Sequence, residues 1–181
     1  MVSRESEAEN EAANEPGNEA VNGAVRNATP VTAQPAQSTA ATFAAIDAER
    51  RRLIGDGLLT ISRYDSTRSR LTRIWSSNLA AYPVGGSKDK ADTPWTRQVL
   101  QRGEMFIGEG AAALAAAFDD HARIAALGLN CIVNVPLLSD AGEVVGTFNL
   151  LGTAGVLTPE QISTVRSLAR KALPALLSIA A

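Results

Sequence analysis

Apolar and polar positions divide the chain into a featureless amino-terminal stretch and a run of short periodic segments. The strongest pattern is residues 129–151, LNCIVNVPLLSDAGEVVGTFNLL, where two apolar runs flank the turn signal Ser139-Asp140-Ala141-Gly142. This predicts an antiparallel hairpin. In its first strand Leu129, Cys131, Val133, Val135 and Leu137 share one face, while Ile132, Pro136 and Leu138 make the other face apolar too. A strand apolar on both faces belongs in mid-sheet, with cover above and below. Asn134 and Asn149 then lie inside, and a buried amide needs partners, from the protein or from a ligand. A two-residue turn at Ala141-Gly142 sets these asparagines opposite each other, whereas a bulge at Gly142 shifts the register.

The remaining segments arrange themselves around this hairpin. Phe43, Ile46, Leu53 and Ile54 recur at helical spacing over residues 42–55, with acids early, Arg50, Arg51 and Arg52 late and Gly55 as the stop. The three arginines read as a solvated helix end. Residues 57–64 and 71–77 predict a strand pair. Leu59, Ile61 and Arg63 oppose Leu58, Thr60, Ser62 and Tyr64 on the first strand, and Leu71, Arg73 and Trp75 oppose Thr72, Ile74 and Ser76 on the second. Residues 76–92 form a long, polar, glycine-bearing loop, functional or mobile in a compact domain. Thr93 and Pro94 start a helix reaching Gly103. A short strand over 105–108 and an alanine-rich helix over 111–127, closed by Gly128, follow. Thr158-Pro159-Glu160-Gln161 opens the last helix as a capping box. Pro174 is expected to kink or interrupt it, and its apolar end makes it a candidate dimer surface.

Composition sharpens this division. Residues 1–41 are Glu, Asn, Ala, Thr and Pro with almost no large apolar residue, so they predict a disordered acidic tail before a domain over 42–181. That tail holds six of the 19 acids and two of the 17 basic residues, leaving the rest close to balance. No basic stripe of the kind nucleic acid needs is present. Aromatics are only 4% of residues, so each is worth notice. The single cysteine, Cys131, excludes an internal disulfide, and the single histidine, His121, removes His-pair metal motifs. The amino terminus lacks the apolar core of a signal peptide, and no run approaches the length of a membrane span. A cytoplasmic protein with a small-molecule or protein partner is expected.

Several blocks resemble a known family. VPL at 135–137, a short turn and VVGTFNLLG at 144–152 are similar to the carboxy-terminal hairpin of the GAF domain, with its Gly-x-Φ-x-Φ strand. SSNLAAYPVGG, DTPW and VLQRGEMFIGEG, within residues 76–110, resemble a subgroup of stand-alone bacterial GAF proteins. The resemblance covers about residues 43–173. It implies an α+β fold: an antiparallel sheet of five to six strands, terminal helices on one face, and a pocket roofed by loops and helices on the other. GAF domains bind cyclic nucleotides, tetrapyrroles, haem or metabolites, and many serve only as sensors or dimerisation modules.

The family's chemistries fit these residues unevenly. Free methionine sulfoxide reductases of this fold need a thiol and a resolving partner, and Cys131 alone cannot supply both. Phe118-Asp119-Asp120 lacks the Asn-Lys portion of the cyclic-nucleotide pattern. Cys131 in a strand and His121 in a helix suit bilin attachment poorly. Haem ligation by His121 is open, against a surface histidine in a helix whose charges pair locally. Asp119 and Asp120, adjacent on a helix, point about 100° apart and make no dyad. Gly85-Gly86-Ser87-Lys88 lacks Walker spacing and reads as a hinge or lid.

The positive pocket signal joins aromatic and polar groups. Trp75, Tyr82, Trp95 and Phe118 supply flat apolar surface, and Ser77, Asn78, Asn134 and Asn149 supply oriented hydrogen bonds. The alternative is that Trp75 and Trp95 only pack the loop to the sheet. With these residues at its pocket, the resemblance to GAF domains implies a non-catalytic sensory and signalling domain for a small organic ligand, whose identity and cofactor class the sequence leaves open. It is expected to form a homodimer and to signal through a separate partner protein, with no nucleic acid and no membrane involved. The rival readings are an interaction and dimerisation module with a filled, vestigial pocket, and an enzyme built on Lys88, Asp119, Asp120, His121 and Arg123.

Overall fold

The computed structural model describes residues 35–179. The expected tail, residues 1–41, lies outside them up to residue 34. Along the chain stand α1 (Pro35–Ile54), β1 (Gly57–Asp65), β2 (Arg70–Ser76), β3 (Ser87–Asp89) and α2 (Pro94–Thr96), the last continuing as a π-helical turn over Arg97–Gln101. Then come β4 (Phe106–Glu109), α3 (Gly110–Ala117), α4 (His121–Ala126), β5 (Cys131–Leu138), β6 (Val144–Gly152) and α5 (Pro159–Ile179). The six strands form one sheet in the order β3-β2-β1-β6-β5-β4, every neighbouring pair antiparallel. The expected hairpin is β5–β6, and it lies inside the sheet.

The two faces of this sheet differ in chemistry. On one, Leu59, Ile61, Cys131, Val133, Leu137, Phe148 and Leu150 join Phe43 and Ile46 of α1 and Val165, Leu168, Ala172 and Leu176 of α5 in an aliphatic core. The pairs Thr39–Ser178 (3.2 Å) and Glu49–Lys171 (2.7 Å) show that α1 and α5 run antiparallel across it. Gly146 admits α5 to close range, since a Cβ there would lie 2.7 Å from Leu176 Cδ2. The opposite face carries Leu58, Thr60, Ser62, Ile132, Asn134, Thr147, Asn149 and Leu151. Residues from 78 to 124 cover it.

The cap signals act as the sequence predicts. Thr93 Oγ1 accepts from the Thr96 N–H at 3.1 Å, with Pro94 at the first helical position. Thr158 and Gln161 exchange the two bonds of a capping box, at 2.9 and 3.2 Å. Asn134 pairs directly with Asn149, as a two-residue turn requires, although residues 139–143 form the loop and the register slips between Leu137 and Leu138.

Other expectations are corrected. α1 begins at Pro35 rather than at residue 42, and Thr39, placed in the tail, is buried. Arg50 is not solvated: its guanidinium is fully buried, ion-paired with Asp47, and donates to the Gly55 carbonyl at 2.6 Å. The arginine therefore closes the helix end and ties it to the start of β1. The helix expected over 111–127 is two helices, because Phe118 takes extended backbone (φ −134°, ψ 125°) and sends its ring inward. The loop over 76–92 contains strand β3, and Gly85 and Gly86 are held by bonds to Arg73 rather than free to hinge. α5 runs without interruption through Pro174.

The Asp47–Arg50 pair gives a direct test. Asp47→Ala leaves a buried guanidinium without its counter-charge, and unfolding in urea should show a loss of about 3–5 kcal/mol. Arg52→Ala, on the exposed side of the same turn, should change stability by about 0.5 kcal/mol or less. Equal effects of the two substitutions would show that the buried pair does not hold α1 to the sheet.

Candidate functional site: a cavity under the loop cover

Between the polar face of the sheet and its cover lies a cavity of about 630 Å³. Its floor comes from β1, β5 and β6, where period-two alternation sends Thr60, Ser62, Ile132, Asn134, Thr147 and Asn149 to one side. The amides are tied into a directed chain. Trp95 Nε1–H donates to Asn134 Oδ1 at 2.9 Å, and Asn134 Nδ2 donates to Asn149 Oδ1 at 2.7 Å. Asn149 Nδ2 in turn reaches Thr147 Oγ1 at 3.1 Å and Thr60 Oγ1 at 3.3 Å. Each amide is thereby oriented before any ligand arrives.

The cover is aromatic. Phe118 stands edge-on between Trp95 and Phe106, with ring centroids 6.1 and 6.0 Å away. Tyr82 lies over the other part of the cavity, and its hydroxyl donates to Asp120 Oδ2 at 3.1 Å. Charges gather on these rings: the Arg73 guanidinium is 4.9 Å from the Tyr82 centroid, Arg123 6.0 Å from it, and the Lys90 ammonium 4.6 Å from that of Trp95. Lys88 holds Asp119 at 2.8 Å and Asp120 at 3.6 Å. The two aspartates thus converge on one lysine, because they lie in the turn between α3 and α4 and not on a single helix.

Ionisation follows burial. Desolvation lowers the Lys90 pKa, and the neighbouring Lys88 lowers it further. Burial likewise lowers that of Arg73. The Tyr82 phenol is pushed well up, first by burial and then by the Asp120 carboxylate. The hydrogen bond from Lys88 holds Asp119 below the usual carboxylate range.

Of the eight residues singled out from the sequence, Tyr82, Trp95, Phe118, Asn134 and Asn149 line the cavity. Trp75, Ser77 and Asn78 do not. Trp75 faces the helices and packs edge-on against Phe43 at 6.3 Å. The cause is a register shift: Ile61 pairs with Trp75 but Ser62 with Arg73, so Ile74 is an extra residue and the strand changes face there. Arg73 and Leu71 keep to the cavity side; Trp75 is turned away. Ser77 closes the end of β2 by accepting from the Leu59 N–H at 3.0 Å. Asn78 shapes the following turn, its Oδ1 accepting from the Ala81 N–H at 3.1 Å and its carbonyl from Tyr82 N–H at 2.9 Å. Asn78 thus positions Tyr82, and neither residue lines the cavity.

Sequence reading missed Arg73, Lys90, Thr60, Ser62 and Thr147, all of which line the cavity. One signal for the hydroxyls was present, since Thr60, Ser62, Thr147 and Asn149 place polar groups on one face of two strands that sit side by side. Nothing local marks the cations. Cys131 lies on the aliphatic face, buried, with its thiol pKa raised by desolvation. His121 is exposed, its Nδ1 2.9 Å from the Phe118 carbonyl oxygen. Among the described residues no cluster of three or more His, Cys, Asp and Glu side chains is placed to hold a metal ion.

An antiparallel sheet with helices on one face and a roofed cavity on the other defines the class of protein, and comparison with solved structures gives it a name: the chain has the GAF fold. No protein-family profile matches the sequence, and no curated protein does. Among similar structures is the GAF domain of a two-component sensor histidine kinase from Bacillus halodurans (TM-score 0.64, 11% identity, 77% of this chain and 94% of that one). Another is the blue-light absorbing form of the Thermosynechococcus elongatus PixJ GAF-domain (TM-score 0.57, 16% identity, 81% and 90%). A third is a type II free methionine-R-sulfoxide reductase from Thermoplasma acidophilum (TM-score 0.60, 10% identity, 80% and 96%). At these identities the likeness is one of fold.

The Tyr82–Asp120 bond is open to measurement. In an absorbance titration one of the two phenols should ionise only at a pH well above the ordinary value of about 10. Asp120→Asn should bring that phenol part of the way back, burial keeping the rest of the shift. Two phenols that ionise together in the native protein would contradict this geometry.

Proposed function

We propose that this chain is a sensory and signalling GAF domain that binds a small organic ligand in the cavity under its loop cover and performs no catalysis on it. The carrying observation is the cavity of about 630 Å³, floored by pre-oriented amides and roofed by Trp95, Phe118 and Tyr82. That size suits a metabolite-sized molecule, and few, fixed polar groups amid apolar walls are how such sites select one. An interaction module with a vestigial pocket would fill this space with its own side chains. The lone thiol faces away from the cavity, and His121 stands exposed on α4, which favours binding over turnover.

Binding would pass outward as a shift of population. The cover touches the sheet through Trp95 and Asn134, and the opposite face of that sheet carries α1 and α5. Leu53 and Leu177 are exposed on those two helices, and we assign to this surface a homodimer contact or the docking of a separate signalling protein. Among the described residues no helix is long and apolar enough to cross a membrane, and action in the cytoplasm is part of the proposal.

Native mass spectrometry of the full chain, purified from its own host, reads ligand and oligomeric state together. The expected result is a dimer carrying a small molecule, which is lost in Asn134→Leu and Trp95→Ala variants that remain folded. An empty protein whose melting temperature is unmoved by a metabolite panel would overturn the ligand reading, and a monomer would overturn the dimer.

A further inference from the structure

The charges around the cavity do not balance. Four cations, Arg73, Lys88, Lys90 and Arg123, line it against two carboxylates, Asp119 and Asp120. Lys88 engages both acids. Among the described residues, Arg73, Lys90 and Arg123 have no carboxylate within ion-pair distance. Arg73 and Lys90 are half-buried and Arg123 is exposed. Ring contacts and carbonyl bonds offset part of the desolvation of these cations, but no carboxylate of the described residues pairs with them directly.

Arg73 is the most telling of the three. Its Nη1 donates to the Pro83 carbonyl at 3.1 Å, which fixes one end of the guanidinium. Its Nε is buried and has no hydrogen-bond partner. Gly86 leaves room for this placement, because a Cβ there would lie 2.9 Å from Nη1. The guanidinium is thus held at Nη1 while its Nε lacks an acceptor, and an arginine fork matches two oxygens of a carboxylate or phosphate. Arg123 sits against the same Tyr82 ring, and Lys90 stands over Trp95. Burial lowers the pKa of Lys90 and of Arg73, and the nearby Asp120 offsets part of that shift.

We infer that the ligand is a small organic anion. Its acidic group, carboxylate or phosphate, docks on the Arg73 guanidinium with Arg123 alongside and Lys90 further along the cavity wall, and its apolar body lies on Leu58, Ile132 and Leu151. This rests on the cavity being the ligand site and adds the chemical class. The fixed guanidinium supplies the specificity, and the two neighbouring cations add a field that draws anions to the opening.

The test uses three probes of similar shape: 3-phenylpropionate, phenethyl phosphate and the neutral 3-phenylpropanamide. Each is titrated into the full chain and followed by amide NMR shifts, at about 20 mM and about 300 mM salt. One or both acids should bind roughly tenfold or more tightly than the amide, weaken with salt, and shift resonances of β2 and β3. Whichever acid binds more tightly identifies a carboxylate or a phosphate ligand. Arg73→Gln should abolish the preference. Arg73→Lys, which keeps the charge but not the fork, should lose most of it, and Gly86→Ala should weaken it with the melting temperature held. Tighter or equal binding of the neutral amide would sink the anion inference while leaving the cavity as a ligand site. If no acid binds while the host-purified protein carries a neutral molecule, the inference fails alone; if that protein is also empty, both readings fail.

Discussion

The hydrogen-bonded chain from Trp95 through Asn134 and Asn149 to Thr60 and Thr147 is what the two layers on the polar side depend on. Polar side chains in mid-sheet are costly unless satisfied. Here the satisfaction comes partly from the cover, because Asn134 Oδ1 takes its proton from an indole 39 residues earlier in the chain. The cover is therefore held by a polar bond of fixed direction as well as by apolar contact. The bond fixes where the cover meets the floor, and the cavity lies around that contact.

The other side of the sheet is built on different terms. It is filled with aliphatic side chains, and a buried ion pair, Asp47–Arg50, stands at the edge where α1 meets β1. Gly146 brings α5 into contact with the backbone of the sheet. Its side chains pack closely. The sheet thus separates a filled layer from one that carries charge and open volume, and the proposed sensory role rests on that asymmetry.

Much of this was legible in the residues. The β5–β6 hairpin, its mid-sheet position and the capping signals follow from local periodicity and turn chemistry, and the Asn134–Asn149 pairing is one of the two registers that the turn allowed. The sheet between helices and a roof was implied by the resemblance to GAF domains, and five of the eight residues expected at that cavity came to line it. Trp75 did not, because one extra residue at Ile74 reverses the alternation of β2, and a bulge has no strong mark in side-chain pattern. The break at Phe118 was hidden for a similar reason. An alanine-rich run favours helix locally, and only the slot between Trp95 and Phe106 makes an extended residue preferable there.

By itself the sequence determined most of the strands and helices, most of the apolar faces, and that polar amides lie within the sheet, since each depends on neighbours a few positions away. Only the tertiary structure decided where the charges go. Arg73, Lys88, Lys90, Asp119, Asp120 and Arg123 come from β2, the β3 segment, the α3–α4 turn and α4, and no spacing in the chain relates them. Their grouping arises because the cover folds back over the sheet, and an electrostatic field depends on distance in space rather than on separation along the chain.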